Sequence, residues 1–277
     1  MITQNLHTHT IFSDGKSTPE EIIKSAIDSG LQSLGFSDHA PVPFQNSFSI
    51  AEGELSNYIA KIEQLKSEFA DQIEILLSLE VDHIPALMDD FFIQNPEVNL
   101  DYTIGSVHLV GVDSPENLWF IDGPKREIYD DGLQQFFGGD IRLAVKAFYH
   151  QTNRMLEQQT PDIIGHLDLI KIWGHNPIKK SPYAYAEPVL KKIRASGLVV
   201  EINSAGLRKP VKEIYPSREI MEQMFRLSIP VTLGSDAHNP QQVGEGLENC
   251  VELLKKIGYR SMICFERRKH RVIPLDL

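Results

Sequence analysis

Seven short apolar runs recur along the chain, most of them ending in a polar residue and followed by a segment of helical length. They span residues 2–7, 33–38, 73–79, 102–107, 162–166, 198–202 and 230–234. The runs are continuously apolar rather than alternating, the pattern of strands buried on both faces. Between them, residues 18–29, 51–69, 140–158, 183–196, 217–227 and 240–257 read as helices. The first opens with Thr18-Pro19-Glu20-Glu21, which supplies an N-cap, a proline at the first helical position and acids in the first turn. Ile22, Ile23, Ala26 and Ile27 then keep a helical period, and Gly30 stops it. Strands alternating with helices require parallel pairing with crossover connections, so an α/β sheet or barrel is expected. A further run at 261–265 is expected to form an edge strand.

No repeat, low-complexity tract or linker divides the 277 residues, so one domain over 1–277 is expected. Residues 110–139 form the longest irregular stretch. A stretch of that length in a compact domain is usually functional. Trp119, Phe120, Phe136 and Phe137 favour an ordered lid over the active site. The net charge of −11 argues against nucleic acid or an anionic membrane as partner, since both reward clustered Lys and Arg. Cys250 and Cys264 lack a CxxC spacing and read as thiols of a reducing compartment. The N-terminus carries no basic-then-apolar leader and no run of membrane-spanning length occurs, so a cytoplasmic location is expected. Nothing in the sequence sets the oligomeric state.

The ten histidines are unevenly placed. His7, His9, His39, His108, His166 and His238 stand at or just past the ends of expected strands. Asp14, Glu80 and Asp236 share those places. Any one of them reads most simply as a polar residue satisfied by a loop hydrogen bond. In a parallel barrel, however, all strand C-termini open on one face, so the whole set would converge on one pocket. Imidazole with carboxylate is a donor set for zinc, manganese or iron. One zinc takes about four ligands, and this set suits two or three ions bridged by a carboxylate. Alternate residues of a strand face the same side, so His7 and His9 can reach one ion, and Asp236 with His238 repeats that spacing. His83, His150, His175 and His270 show no such placement, although His83 stands close to Glu80. There is no GxSxG, GxxxxGK[ST] or strand-bound GxGxxG, which removes support for a serine nucleophile or a nucleotide-cradling loop.

The ordered set HTH (7–9), SDG (13–15), SDHA (37–40), LE (79–80), GSVH (105–108), GHLD (165–168) and GSDAH (234–238) resembles the PHP family, named for polymerase and histidinol phosphatase. Within it, LEVDHIP (79–85), DYTIGSVH (101–108), LWFID (118–122), DIIGHLDLI (162–170), EINSAGLRK (201–209) and YPS (215–217) resemble the histidinol-phosphate phosphatases. The resemblance implies a distorted (β/α)7 barrel and hydrolysis of a phosphate ester, L-histidinol phosphate, with two or three divalent metal ions. It implies that His7, His9 and Asp236 hold the first ion. Glu80 would bridge to a second, completed by His108 and His166, and Asp14, His39 and His238 would hold a third. Some trinuclear relatives carry histidine where Asp14 stands; an aspartate there still ligates.

The expected chemistry is attack on phosphorus by a water between the ions, acidified by them. Glu80 holds the bridge, and Asp236 or His238 moves the proton. Asp38 and Asp168 flank ligand histidines and are candidates to orient their rings, or equally capping acids. A phosphate dianion invites a guanidinium, for which Arg208 and, less well placed, Arg154 are candidates, with Asn203 as a hydrogen-bonding partner. For the substrate's ammonium and imidazole, the stretch 110–139 offers Asp113, Glu116 and Asp122, and Trp119 or Phe120 as a stacking surface. Those aromatics equally suit anchoring the lid. A nucleotide or nucleoside bisphosphate is the alternative substrate, and a metal-binding protein without activity the alternative class.

Overall fold

A computed structural model of the chain describes residues 3–88, 90–111, 117–174 and 183–275. The strands in chain order are β1 (Gln4–Asn5), β2 (Ser33–Phe36), β3 (Glu74–Asp82), β4 (Tyr102–Ser106), β5 (Leu109–Gly111), β6 (Leu118–Phe120), β7 (Ile163–Ile164), β8 (Val199–Asn203), β9 (Val231–Gly234), β10 (Ser261–Glu266) and β11 (Lys269–Pro274). The helices are α1 (Pro19–Asp28), α2 (Leu55–Glu68), α3 (Phe91–Gln94), α4 (Arg126–Phe137), α5 (Ile141–Gln158), α6 (Tyr183–Ser196), α7 (Arg218–Arg226) and α8 (Leu247–Ile257).

Seven strands pair in parallel in the order β1-β2-β3-β4-β7-β8-β9. The ends of this sheet meet: Leu6 N donates to Leu233 O at 2.9 Å and His9 N to Ala237 O at 2.8 Å. The result is a nearly closed (β/α)7 barrel, the fold expected from the strand–helix alternation and the family resemblance. Asn5 stitches the seam, its Nδ2 donating to Ser235 Oγ at 2.6 Å and its Oδ1 accepting from Ser235 N at 3.0 Å. Inside, the Tyr102 hydroxyl crosses the barrel to donate to Leu6 O at 2.6 Å. Gly35 makes room for it, since a Cβ there would lie 1.7 Å from that oxygen.

The helices follow the sequence logic. Thr18 caps α1 through the reciprocal box, with Thr18 N donating to Glu21 Oε2 at 2.9 Å, and its buried face is Ile22, Ile23 and Ala26. Among the described residues, no helix is long and apolar enough to cross a membrane.

Two expectations change. Residues 261–266 are not an edge of the barrel sheet but pair antiparallel with β11. A barrel closed on itself offers no edge to join. This hairpin seals the N-terminal mouth instead: Ile263 O accepts from Gln4 Nε2 and Thr232 Oγ1, and Phe265 packs on Tyr102. The stretch 110–139 is not irregular either. Residues 112–116 lie outside the described residues, but around them β5 and β6 form a hairpin and α4 follows, ending at Gly138 with φ +58°. α4 was hidden by Gly132 at its centre, which is there because the Trp119 indole lies on it; a Cβ would sit 2.1 Å from the ring.

Candidate metal centre

The C-terminal ends of the barrel strands bring all nine sequence-selected donors together. Just past β1, His7 and His9 point the same way, their Nε2 atoms 3.1 Å apart. Thr8 between them faces oppositely and donates to Gly35 O. Asp38, just past β2, accepts from Thr10 N at 2.8 Å and Ser13 Oγ at 2.6 Å, which folds the following loop back. Gly15 closes that turn, where a Cβ would stand 2.5 Å from Thr10 N. Asp14 is thereby returned to the cluster: its Oδ1 lies 3.2 Å from His238 Nε2, 3.7 Å from His9 Nδ1 and 4.0 Å from His39 Nε2.

Glu80 stands at the centre, 1% exposed. Its Oε2 faces His7 Nε2 at 3.2 Å, His39 Nδ1 at 3.4 Å and His9 Nε2 at 3.5 Å. Its Oε1 faces His166 Nε2 at 3.0 Å and His108 Nε2 at 3.6 Å, and accepts from Ser106 Oγ. One oxygen therefore serves each group of imidazoles. Across the seam, Asp236 takes φ +52°, a left-handed conformation that costs energy for a residue other than glycine. Arg208 Nη2 holds it there, donating to Ser235 O at 2.6 Å and Asp236 O at 3.1 Å. Asp236 Oδ1 then lies 3.4 Å from His9 Nε2 and 4.0 Å from His7 Nε2.

These residues fit divalent metal ions. Donor atoms within 4.8 Å of one another include the sets His7–His9–Asp236, Glu80–His108–His166 and His9–Asp14–His238. His39 joins through His9 and Glu80, so the third set gathers on His9 as well as Asp14. The Nε2 atoms of His108 and His166 approach to 3.0 Å. His9 Nδ1, His39 Nδ1 and Asp14 Oδ1 are buried without a hydrogen-bond partner. Buried polar atoms rarely go unpaired, and cations held by the His9–Asp14–His238 and His9–His39–Glu80 groups would account for these three.

The electrostatics agree. Burial would raise the pKa values of Glu80 and Asp236, yet the imidazoles, His7 foremost, hold both carboxyls well below their ordinary range. Burial opposes charge on His108 too, but Asp82 and Glu80 push it up to about 10. Asp14 and Asp236 likewise outweigh burial at His238 and raise it to about 9. His9 goes the other way, to about 4, through burial and then the neighbouring His238.

The ring-orienting acids are not those expected. Asp38 serves Thr10 and Ser13, and Asp168 accepts from Ser217 N and pairs with Lys171, so neither orients its neighbouring histidine. Instead Glu201 Oε1 lies 2.6 Å from His7 Nδ1, and Asp82 Oδ1 lies 2.8 Å from His108 Nδ1. For Glu201 the sequence did carry a signal: it is a charged residue inside an otherwise apolar run, 198–202, expected to be buried on both faces. Asp82 lies past the end of the expected run 73–79 and carried none.

The chain matches the PHP domain family over residues 5–205. It belongs to that family. A Deinococcus radiodurans protein named probable histidinol-phosphatase is 33% identical over 95% of this chain and 96% of its own length. A provisional histidinol phosphatase of solved structure from Listeria monocytogenes superposes with a TM-score of 0.75 at 26% identity, covering 89% of this chain and 99% of that one. The Lactococcus lactis histidinol phosphate phosphatase, solved with zinc, L-histidinol and phosphate, shares the fold with a TM-score of 0.69 at 22% identity, covering 97% and 98%.

Around this PHP centre the expected substrate contacts divide. Arg208 is near, and its Nη1 is buried without a partner. Lys209, which the sequence reading passed over, pairs with Asp122 at 2.9 Å. Burial would lower the Lys209 pKa, but Asp122 and then Asp236 raise it. Asp122 is thus already occupied by a cation. Asn203 is fully buried, donating to Glu201 Oε2 and accepting from Ala205 N, so it has no surface for substrate. Trp119 is 2% exposed and packed on Tyr129 and Phe137, which anchors β6 to α4. Phe120, on the other face of β6, stacks on Phe48, whose ring in turn meets His39 edge-on. Arg154 lies beside His83, whose pKa falls through burial and, in smaller part, that charge. His83 Nε2 pairs with Gln158, while His150 and His270 are exposed. Asp113, Glu116 and His175 lie outside the described residues.

Proposed function

We propose that this PHP protein is a metal-dependent phosphomonoesterase that hydrolyses L-histidinol phosphate to L-histidinol and phosphate. The observation that carries the reading is Glu80, which turns one oxygen to each of two histidine groups as a bridging ligand does. The relatives supply the substrate: the Deinococcus radiodurans protein is similar along nearly its whole length, and the Lactococcus lactis protein was solved with zinc, L-histidinol and phosphate. Two to three ions of zinc, manganese or iron suit the donors, held by His7, His9 and Asp236, by Glu80, His108 and His166, and by Asp14, His39 and His238.

Bound metals supply charge neutralisation on the phosphoryl oxygens and a water acidic enough to react at neutral pH. The chain's own residues do the rest. Arg208 offers Nη1 to a phosphoryl oxygen while its Nη2 holds the Asp236 loop. Lys209 adds a second positive charge at the rim. Asp236 Oδ1 makes the contacts with His7, His9 and His238, and Oδ2 is the atom we place at the transferred proton. Phe48 and Phe120 offer an aromatic wall for the imidazole of histidinol. The segment around β6 and α4 serves as the lid.

The test is phosphate release from L-histidinol phosphate beside a panel of phosphomonoesters including nucleotides, with metal content measured on the same sample. Selectivity for histidinol phosphate with two to three ions per chain is expected. Bound metal with a preference for nucleotides would keep the centre and overturn the substrate.

A further inference from the structure

Glu201 makes no contact with the Nε2 atom of any of the six donor histidines, yet it is 1% exposed in the middle of the barrel. Its two oxygens receive three contacts. Oε1 faces His7 Nδ1 at 2.6 Å; Oε2 accepts from the backbone N of His166 at 2.9 Å and from Asn203 Nδ2 at 3.0 Å. The slot that holds it depends on the glycine at the end of the neighbouring strand β9: a Cβ at Gly234 would lie 1.9 Å from Oε1.

We propose that Glu201 is the positioning residue of the metal centre, fixing His7 of the first set and His166 of the second through one buried carboxylate. The proposal rests on the metal-centre reading above but not on the identity of the substrate. The His7 ring has two nitrogens. With Nδ1–H donated to Glu201, Nε2 is left with its lone pair directed at Glu80 and His9, the form that ligates. The same carboxylate pins the backbone at His166, whose Nε2 faces the opposite oxygen of Glu80. The spacing between the two sets therefore depends on one side chain bonded to both.

Donor accounting makes the charge type essential. His7 Nδ1–H, His166 N–H and Asn203 Nδ2–H are all donors, so the group among them must accept on both of its atoms. A carboxylate does; the amide of glutamine, nearly the same shape, accepts on one atom and donates from the other. A Glu201→Gln change turns an N–H toward either the His7 or the His166 donor in a site with no room to turn away. Asn203, in this arrangement, braces Glu201.

The experiment measures zinc affinity by chelator competition on the full chain for wild type, Glu201→Gln and Glu201→Asp. It also records the ring N–H protons of the zinc-loaded wild type by NMR. Glu201→Gln is expected to bind zinc about 10- to 100-fold more weakly, the usual cost of losing such a partner. Glu201→Asp keeps both acceptors and is expected to lie closer to wild type than Glu201→Gln. A merely space-filling role predicts the reverse order, because glutamine preserves volume and aspartate leaves a gap. The zinc-loaded wild type is expected to show a downfield His7 Nδ1 proton. Wild-type affinity in Glu201→Gln, or a larger loss in Glu201→Asp, overturns the proposal. If Glu201→Gln does not fold, absence of that proton in the wild type overturns it by itself. A wild-type chain that binds no zinc would instead overturn the metal centre.

Discussion

Asp82 Oδ1 lies 2.8 Å from His108 Nδ1, on the opposite side of the ring from the Nε2 that faces His166 at 3.0 Å. Asp82 is buried and stands two residues after Glu80 on β3, so the strand that carries Glu80 also carries the group that aims the His108 ring at it. Replacing Asp82 by Asn removes the charge that fixes the Nδ1–H tautomer. The second metal equivalent is expected to bind about 10- to 100-fold more weakly, with the first little changed. Stepwise metal titration by calorimetry checks this.

Glu80 faces three histidines through Oε2 and two through Oε1, the widest reach of any acid among the described residues of the centre. Glu80→Gln is expected to lower metal content below two ions per chain and to reduce phosphatase activity by more than about 100-fold, since bridging and charge are lost together. Elemental analysis of the same preparation used for the assay distinguishes loss of metal from loss of chemistry; full metal content with full activity would remove Glu80 from the centre.

Arg208 joins two tasks, holding the Asp236 loop and offering a free guanidinium N–H. A hydrogen bond to a charged group contributes about 1.5–3 kcal/mol. Arg208→Lys keeps the charge but not the fork, and kcat/KM is expected to fall by about 10- to 100-fold. An unchanged kcat/KM would show that the guanidinium does not reach the phosphate.

In the metal-free chain, His108 at about 10 and His238 at about 9 are protonated at neutral pH. Both are raised above the unfolded value near 6.5, so their contribution to stability is complete below about pH 6.5 and lost as pH rises through about 9 to 10. Metal must displace those protons, so apparent affinity is expected to rise steeply from pH 7 to about 9. Thermal unfolding of stripped and loaded protein across this range should diverge as pH increases. Parallel curves would contradict the assignment.

The packing of α4 on β6 makes a separate prediction. Gly132→Ala places a methyl group against the Trp119 indole, and over-packing of this kind costs about 1–3 kcal/mol. Faster hydrogen exchange is expected in β6 and α4, with metal content unchanged, because none of the donors lies there.

The barrel was legible because its strands are buried on both faces and read as bare apolar runs, each with its helix behind it. The donors were legible because every one ends or follows such a run. The lid helix was not: its defining contact, Trp119 on Gly132, joins residues whose meeting no helical period announces. Nor were the partners of the imidazoles. Asp38 and Asp168 are neighbours of histidines in sequence, but Glu201 and Asp82 are their neighbours across the barrel. Adjacency along the chain offered Asp38 and Asp168 as ring partners no more strongly than as capping acids, whereas the oddity of a charge inside a buried run pointed to Glu201. Trp119 and Phe120 teach the same lesson on a smaller scale, since consecutive strand residues face opposite ways and only one can meet the site.

The seam between β1 and β9 sets an order of events during synthesis. The histidines of residues 7–9 are synthesised more than two hundred residues before the groups that hold them, Ala237 and the Ser235 side of the Asn5–Ser235 stitch. The hairpin that stoppers the opposite mouth emerges later still. A nascent chain therefore carries His7 and His9 without their seam partners until residues 235–237 have been made, and the choice of any ion waits on that closure.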